Sequence, residues 1–401
     1  MSTADAAESA TTDTTGAARP PAQTPAATPG SVAERAAAPT TLPAVRAGGL
    51  TWRGARREDA PAILALLNTT GEADGLPFRV ALDEVTETLA APYRDLDKDF
   101  LLGFEEPDHG PATSILRAYA QVSAPPGDAT VARAILEGGV HPDRRGEGIG
   151  RELLAWQIAR GRQKLAESAL AARHVPAWLV VHMEDDAPER LGRTYERAGF
   201  AARRYYSFLR RDLSAPIASA DVPDSDTGLR LTVWAPELDE ALRLARNDAF
   251  RDHWGSQPRT RETWSEYRTA FMPSWTSLIV DDAPDTDALL ASPDTDAETA
   301  AALRAGEPLV VAYQIASKYE DDFAVRGYTF GYSDNVGVRR AYRGRGLAPA
   351  VMAAGMRLMA DDGMRYAALD VDTANPTGAV GLYAALGYEK QDGSRMLTIE
   401  L

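Results

Sequence analysis

Two series of apolar and polar patterns follow each other along the 401-residue chain, and each series predicts one α/β unit. In the first series a strand at 50–53 precedes a helix with Pro61 in its first turn, where proline is tolerated. A nearly continuous apolar run at 177–183 predicts a central strand. The other predicted elements are strands at 99–104, 114–123, 130–140 and 205–209, a long helix from residue 150 and a helix that ends at Gly199.

The second series begins after residues 213–228, where Pro, Ser, Asp and Gly occur without periodicity and predict a linker. A strand at 229–233 and a helix at 236–250 then repeat the order of the first series. An acidic stretch at 281–307 predicts an exposed loop with room for a short helix. The later predicted elements are strands at 308–317, 326–338, 366–371 and 395–400, a helix from residue 347 and a helix that ends at Gly387.

Two landmarks occur once in each series and indicate a duplicated domain. Arg145-Gly146-Glu147-Gly148-Ile149-Gly150 returns 198 residues later as Arg343-Gly344-Arg345-Gly346-Leu347-Ala348. The pattern of Tyr195, Gly199 and Phe200 returns 188 residues later as Tyr383, Gly387 and Tyr388. The ten-residue difference predicts a longer helical insertion around 160–175 in the first copy. A repeat of this length is a domain and not a solenoid unit, so we predict an N-terminal domain at 46–212 and a C-terminal domain at 229–401.

Residues 1–45 predict a disordered tail. Of these 45 residues 34 are Ala, Thr, Pro, Ser or Gly, and almost none is large and apolar. Such a segment buries too little surface to offset the entropy lost on ordering.

Composition narrows the classes of function. The net charge of −15, from 43 basic and 58 acidic residues, argues against a general nucleic-acid binder or a binder of anionic membranes. The absence of cysteine excludes disulfides, zinc–thiolate sites, iron–sulfur clusters and cysteine nucleophiles, and five histidines argue against a multi-histidine metal centre. No apolar run reaches membrane-spanning length and no secretory signal is recognisable, so we expect a cytoplasmic protein. Only four of the basic residues are lysine, which points to a GC-rich, actinobacterial type of genome.

The first landmark has the chemistry of an anion site. In each copy an apolar strand, at 139–140 and 336–338, leads directly into the Arg/Gly loop, and a helix follows. Glycines let the backbone turn sharply, so that free N–H groups and the helix dipole meet at one place suited to a pyrophosphate. Neither a P-loop nor a Rossmann fingerprint is present. The alternative is a glycine-rich turn with a surface arginine.

The second landmark adds polar groups beyond the central strand. In the C-terminal copy Asn375 follows that strand and Tyr383 lies on the next helix. An asparagine can hydrogen-bond the amides of an extended ligand, and a phenol with a reference pKa near 10 can donate a proton to a departing thiolate with a pKa near 8.5. The alternative is that Tyr383 packs in the core.

From residue 50 to 401, the order of strand, R-x-x-G-x-G/A loop, helix, strand, Asn and Tyr-x-x-x-Gly resembles the GNAT superfamily of N-acetyltransferases. The tandem layout is similar to that of mycothiol synthases and related tandem members. The resemblance implies an α/β (α+β) fold with two tandem domains, each a mixed, mostly antiparallel sheet flanked by helices. It also implies acetyl-CoA as co-substrate, no metal, and direct attack by a primary amine of a small molecule in a ternary complex. The site residues that it implies are the proton donor Tyr383 and the CoA-binding Val336, Val338, Arg343, Gly344, Arg345, Gly346, Leu347, Ala348 and Asn375.

The two copies differ at these positions. Ala187 takes the place of Asn375 in the first copy, Glu147 stands where the second copy has Arg345, and three acids at 184–186 follow the first copy's strand. Negative charge near a pyrophosphate weakens its binding. We therefore expect the C-terminal domain to be catalytic and the N-terminal domain to be degenerate.

A general base must take a proton from an ammonium acceptor at neutral pH. The candidates are Asp334, the carboxylates at 320–322 and His253, and we select Asp334. The alternative for each carboxylate is a solvated surface charge. Aromatic residues that could line an acceptor pocket, or else belong to the core, are Trp254, Trp264, Tyr267, Trp275, Tyr328 and Tyr332.

The sequence thus predicts an acetyltransferase for a small amine, such as a mycothiol precursor, an antibiotic or a polyamine. It predicts no nucleic-acid or membrane partner and a monomer or homodimer. The alternative is a non-catalytic regulatory or scaffold protein that binds acyl-CoA.

Overall fold

A single twelve-stranded sheet joins both halves of the chain in the computed structural model, which describes residues 30–106, 114–217, 219, 221–222, 228–251, 256–265, 268–374 and 378–401. The strands are β1 Thr51–Arg53, β2 Phe100–Glu105, β3 Ile115–Ser123, β4 Ala132–Val140, β5 Ala177–Glu184, β6 Ala201–Asp212, β7 Leu229–Val233, β8 Ser277–Asp281, β9 Leu309–Ser317, β10 Phe330–Val338, β11 Tyr366–Asp372 and β12 Glu389–Glu400.

Helices flank this sheet. They are α1 Val32–Ala36, α2 Ala60–Ala73, α3 Leu82–Ala90, α4 Ile149–Glu167, α5 Glu189–Arg197, α6 Asp239–Ala249, α7 Arg261–Trp264, α8 Thr286–Ala291, α9 Ala297–Ala305, α10 Phe323–Arg326, α11 Leu347–Asp361 and α12 Ala379–Ala385. Helix α4 has 19 residues and its counterpart α11 has 15, which agrees with the insertion expected in the first copy. In the described part of the chain no helix combines the length and apolar character needed to cross a membrane.

The strand order is symmetric about the middle of the sheet. It runs β1-β2-β3-β4-β5-β12-β6-β11-β10-β9-β8-β7, and only the pairs β4–β5 and β10–β11 are parallel. The mixed, mostly antiparallel fold class is therefore confirmed. Helix α4 packs on β3 and β4, and α11 packs on β8, β9 and β10, so each half of the sheet has its own core.

The two copies exchange their last strands. Strand β12 pairs with β5 of the first copy from Ser394↔Glu184 to Glu400↔Trp178. Strand β6 of the first copy pairs with β11 of the second from Tyr366↔Asp212 to Asp372↔Tyr206. The sequence patterns predicted both strands but not their exchange, because register along a sheet is set by distant pairing partners.

The acidic stretch at 281–307 contains two short helices, α8 and α9, rather than an exposed loop with one. Asp285 and Asp296 begin them by accepting hydrogen bonds from the backbone N–H groups of Ala288 and Thr299. Strand β10 begins at Phe330, later than expected, because α10 takes up residues 323–326.

The expected tail is wrong for residues 31–45, and residues 1–29 lie outside the described residues. Ser31 begins α1 with a capping box to Glu34. Val32 and Ala36 are completely buried, one helical turn apart, against α4 and the first copy's core. The backbone N–H of Val32 also donates to the carbonyl of Arg173 at 2.9 Å. A few well-placed apolar side chains and backbone bonds thus order a segment whose average composition predicts disorder.

We expect Val32→Asp to lower the free energy of unfolding by about 3 kcal/mol or more, because it places a carboxylate in a site without solvent. Thr40→Asp, on an exposed position of the same segment, should change it by less than about 0.5 kcal/mol. Urea unfolding of the two variants beside the wild type measures the difference. Equal midpoints for all three proteins would show that the segment does not belong to the folded core.

Candidate active site

The parallel strands β10 and β11 separate where the site begins. They pair at Phe330↔Tyr366, Gly331↔Ala367 and Tyr332↔Ala368, and no further pair joins them among the described residues. Strand β10 continues along β9 on its other side as far as Val338↔Ala312. Its side toward β11 therefore offers a strand edge at 333–338, which includes Val336 and Val338. An edge of this kind can pair with an extended ligand.

A β-bulge marks the start of the separation. Ser333 pairs with Ala316 and Asn335 pairs with Ile315, so Asp334 is an extra residue in β10. The corresponding strand of the first copy, β4, pairs with β3 without any shift over this stretch. Asp334 consequently has no counterpart in the first copy, although both copies have the same landmark sequences.

Hydrogen-bond donors surround the Asp334 carboxylate. It accepts from Ser317 Oγ at 2.5 Å and from Tyr319 Oη at 3.2 Å. Loss of solvation outweighs these two bonds and raises the pKa of Asp334 to about 6. A carboxylate with a pKa close to neutral pH is suited to general-base work.

Aromatic rings and further carboxylates form a wall beside Asp334. The rings of Tyr319 and Tyr332 meet edge to face at 5.6 Å, and Tyr332 Oη donates to Asp370 at 2.7 Å. Burial, followed by the charges of Asp370 and nearby acids, raises the pKa of Glu184 to about 7. Burial is also the main cause of the raised pKa of Asp370. We call Asp334, Asp370, Glu184, Tyr319 and Tyr332 the acidic–aromatic wall.

The N-terminal copy contributes to this wall. Glu184 ends β5 and stands opposite Ser394 of β12, so the exchanged strand brings it to the second copy. The backbone N–H of Arg79 donates to Asp322 at 2.7 Å, which fixes the first copy against the hairpin that precedes β10. Of the other base candidates, Asp322 is engaged in this contact and Glu320 forms an ion pair with Lys318. Asp321 is exposed, and His253 lies outside the described residues.

The Arg/Gly loop of the second copy has the geometry of an anion site. Gly344 and Gly346 adopt φ values of +78° and +71°, which favour glycine, and Gly346 leads directly into α11. The first turn of α11 contains no acidic residue. Arg343 donates to the carbonyl of Ala249 at 2.8 Å, and Arg345 lies over the ring of Tyr342. Positive charge and the start of a long helix therefore coincide at the end of the open strand edge.

The same loop in the first copy is neutralised from within. Gly146 and Gly148 adopt the same backbone, with φ values of +86° and +87°. Arg145 forms two 2.8 Å bonds to Asp74, and Arg144 pairs with Glu147 at 2.9 Å. In the first turn of α4, Glu152 accepts from the backbone N–H groups of residues 46 and 47 at 2.7 and 2.9 Å. Carboxylates of the chain itself thus pair with the arginines of this loop and add negative charge around it.

Tyr383 lies on α12, and its side chain is buried. Burial raises the pKa of Tyr383 to about 12, so the phenol keeps its proton at neutral pH. Its ring contacts that of Tyr388 edge to face at 5.9 Å. In the first copy Tyr195 packs similarly on Phe200, and burial raises its pKa to about 12 as well. The tyrosine alone therefore does not distinguish the two copies.

Several predicted site residues lie elsewhere. Asn375, His253, Trp254 and Tyr267 are outside the described residues. Trp275 is fully buried and donates to Asp362, and Trp264 donates to Asp239 beside α6, so both belong to the packing of the fold. Sequence reasoning missed Ser317, Tyr319 and the role of Glu184, since only the bulge and the strand exchange bring them to Asp334.

Comparison with known proteins supports an acyltransferase. Residues 260–388 match the model of the Acetyltransferase (GNAT) family. A mycothiol acetyltransferase of Thermobispora bispora is 29% identical over 352 residues, covering 83% of this chain and 93% of the relative. A mycothiol acetyltransferase of Streptomyces griseus is 27% identical and covers 85% and 92%.

Among solved structures, a GCN5-related N-acetyltransferase from Sphaerobacter thermophilus aligns with a TM-score of 0.59 and 24% identity, over 90% of this chain and 97% of that one. A tandem GNAT protein from the clavulanic acid biosynthesis pathway aligns with a TM-score of 0.57 and 17% identity, over 88% and 98%. These two likenesses confirm the tandem GNAT fold. Together with the family match and the curated relatives, they favour an enzyme over the non-catalytic alternative.

We expect Gly344→Asp to raise the Kd for acetyl-CoA at least about tenfold, because it adds a carboxylate to the anion loop where aspartate tolerates the backbone. Gly146→Asp is the matched control, since a Cβ at either glycine meets no atom within 4 Å. Isothermal titration with acetyl-CoA measures both. Equal losses, or a loss only in Gly146→Asp, would contradict the assignment of the binding loop to the second copy.

Proposed function

We propose that this tandem GNAT acyltransferase transfers the acetyl group of acetyl-CoA to a primary amine of a small molecule, at a single site in its C-terminal copy. The observation that carries the proposal is the coincidence of three features in that copy. They are the open edge of β10, the bulge that presents Asp334, and an Arg/Gly loop free of acidic residues. The first copy lacks the bulge, and its loop is neutralised by carboxylates.

The residues present fit acetyl-CoA. The edge at Val336 and Val338 would pair with the amides of the pantetheine arm. The backbone N–H groups of the loop from Arg343 to Ala348 would bind the pyrophosphate at the start of α11. Acetyl-CoA supplies the acetyl group as an activated thioester. Asn375 remains a predicted contact to the same arm.

Two side chains handle protons in this proposal. The Asp334 carboxylate takes a proton from the ammonium group of the acceptor, which frees the nitrogen lone pair to form the new C–N bond. As the C–S bond breaks, the phenol of Tyr383 donates its proton to the departing thiolate sulfur. As the tetrahedral intermediate collapses, the nitrogen loses a second proton, which replaces the one that Tyr383 gives to sulfur. One ammonium and one thioester thus give one amide, one thiol and one proton, and Asp334 releases that proton to solvent.

The acidic–aromatic wall supports a cationic acceptor. The pKa values of Asp334, Asp370 and Glu184 are all raised, mainly by loss of solvation, so each ionised carboxylate would be stabilised by a nearby cation. An ammonium group would be such a cation, and aromatic faces attract cations as well. The name of the curated relatives adds mycothiol-related amines to the acceptors to be tested. Thiol release from acetyl-CoA with a panel of polyamines, amino sugars and neutral amines would rank these acceptors.

We expect Tyr383→Phe to lower kcat by about 10² or more, because it removes the proton donor and leaves the packing of the ring. Tyr195→Phe, the equivalent change in the first copy, should leave kcat within twofold. Steady-state thiol release with the best acceptor of the panel gives both values. Full activity in Tyr383→Phe with loss in Tyr195→Phe would move the active site to the N-terminal copy.

We expect the wild-type kcat/KM to fall as pH drops below about 6, because Asp334 is then protonated and cannot accept a proton. Asp334→Asn should lose about 10² or more in kcat and lack this dependence.

The stability of the Asp334→Asn variant shows whether its loss of activity comes from the missing base or from misfolding. Because the folded pKa of Asp334 exceeds its ordinary value of 3.8, its ionisation destabilises the fold increasingly as pH rises from about 4 to 6. At pH 8 Asp334→Asn should therefore be as stable as the wild type, or more stable by up to about 3 kcal/mol. A less stable variant at pH 8 would show that Asp334 is structural.

A further inference from the structure

A cavity of about 300 Å³ lies between the two copies, away from the proposed acetyl-transfer site. Its walls come from β3, β4 and their connecting hairpin in the first copy, and from α6 and the residues around α7 in the second. Gln257 of the second copy closes one side by accepting from the backbone N–H groups of Ala129 and Thr130 at 2.6 and 3.1 Å. The volume reaches the lower range of small-molecule sites.

Three guanidinium groups face this cavity. They belong to Arg133 on β4, Arg246 on α6 and Arg259 before α7. Burial, followed by the charges of Arg259 and Arg133, lowers the pKa of Arg246 to about 10. The three positive charges thus lie close enough to oppose one another.

The two carboxylates of the cavity, Asp128 and Glu137, have partners in or beside its wall. Asp128 accepts from Arg133 at 2.6 Å, and the Glu137 side chain accepts from Gln121. Arg246 donates instead to the carbonyl of Gln257 and to Ser256 Oγ. Among the described residues no ion pair within 4.0 Å joins Arg246 or Arg259 to a carboxylate. With Arg133 paired to Asp128, Arg246 and Arg259 leave the lining an excess of one positive charge over its carboxylates.

The pseudosymmetry of the two copies relates this cavity to the acidic–aromatic wall. Ser123 and Ile135 pair across β3 and β4 as Ser317 and Tyr332 pair across β9 and β10. The cavity in the first copy therefore takes the place of the acidic–aromatic wall in the second. The acidic–aromatic wall combines carboxylates with aromatic rings, whereas the cavity has Arg133, Arg246 and Arg259 against Asp128 and Glu137, so the cavity is the more positive of the two places.

We propose that this interdomain cavity binds a small organic or inorganic anion, through a carboxylate or phosphate group held by Arg246 and Arg259. Guanidinium groups match the planar, bidentate geometry of both anions. Ser123, Ser256 and Thr263 offer hydroxyls to the rest of the ligand. A ligand held between β4 and α6 would contact both copies at once.

The test is isothermal titration of the full chain, saturated with coenzyme A, with inorganic phosphate and, separately, with succinate. We expect one site per chain for at least one of the two anions, and the anion that binds more tightly identifies the preferred group. Arg259→Gln should raise its Kd at least about tenfold, the worth of one charge-assisted hydrogen bond. Arg246→Gln should do the same. Arg261→Gln is the matched control, because Arg261 is mostly exposed and pairs with Glu240 outside the cavity.

Each outcome decides the proposal. No binding of either anion, or binding that Arg259→Gln and Arg246→Gln both leave unchanged, would overturn it. Binding lost in Gly344→Asp but kept in Arg259→Gln would assign the anion to the glycine loop and would also overturn it. Because Arg246 helps to hold the loop before α7, the thermal unfolding midpoint of the Arg246→Gln variant is measured without ligand. If that variant is unfolded, the result for Arg259→Gln decides the test. Failure of the acetyl-transfer proposal would leave this titration unaffected, since its readout is binding and not turnover.

Discussion

Backbone pairing between β5, β12, β6 and β11 is the constraint on which the rest of the structure depends. Each copy contributes its last strand to the other half of the sheet, so each half would have an unpaired strand edge without the other copy. The exchange brings Glu184 of the first copy to the wall of the second copy's site. It also fixes the hairpin of each copy against the first helices of the other, through Arg79 and Asp322 on one side and Gln257 and Thr130 on the other. The acidic–aromatic wall and the interdomain cavity therefore both depend on the exchange of the same two strands, β6 and β12.

The Arg/Gly loops of the two copies have the same backbone conformation but differ in the carboxylates that surround them. Glycines at equivalent positions give the same turn into α4 and α11. In the first copy Asp74 pairs with Arg145 and Glu147 pairs with Arg144. Glu152 accepts hydrogen bonds from the backbone N–H groups of residues 46 and 47. In the second copy the first turn of α11 has no acid. The two loops thus differ in the carboxylates placed around them and not in the backbone turn that carries them.

The sequence was sufficient for the features that depend on local chemistry. Apolar periodicity predicted the strands and long helices, and the two landmark sequences predicted the duplication and the glycine loops. The sequence was insufficient for features that are set by strand pairing between distant segments. The bulge at Asp334 is invisible in the local pattern, because it exists only relative to the register of β9. Composition also failed at residues 31–45, where Val32, Ala36 and Val45 are buried in the core of the first copy although most of their neighbours are alanine, proline or polar.

The position of Asp334 joins catalysis to acceptor choice. An isolated carboxylate at the bulge would keep its ordinary pKa and accept a proton weakly near neutral pH. Burial raises that pKa, and Asp370 and Glu184, whose pKa values are raised mainly by loss of solvation, add negative charge nearby that Arg326 offsets only in part. In the proposed function, the loss of solvation that makes Asp334 a stronger base also favours an ammonium group beside it. In the proposed function, the surroundings that raise the pKa of the base would therefore also attract the cationic amine on which it acts.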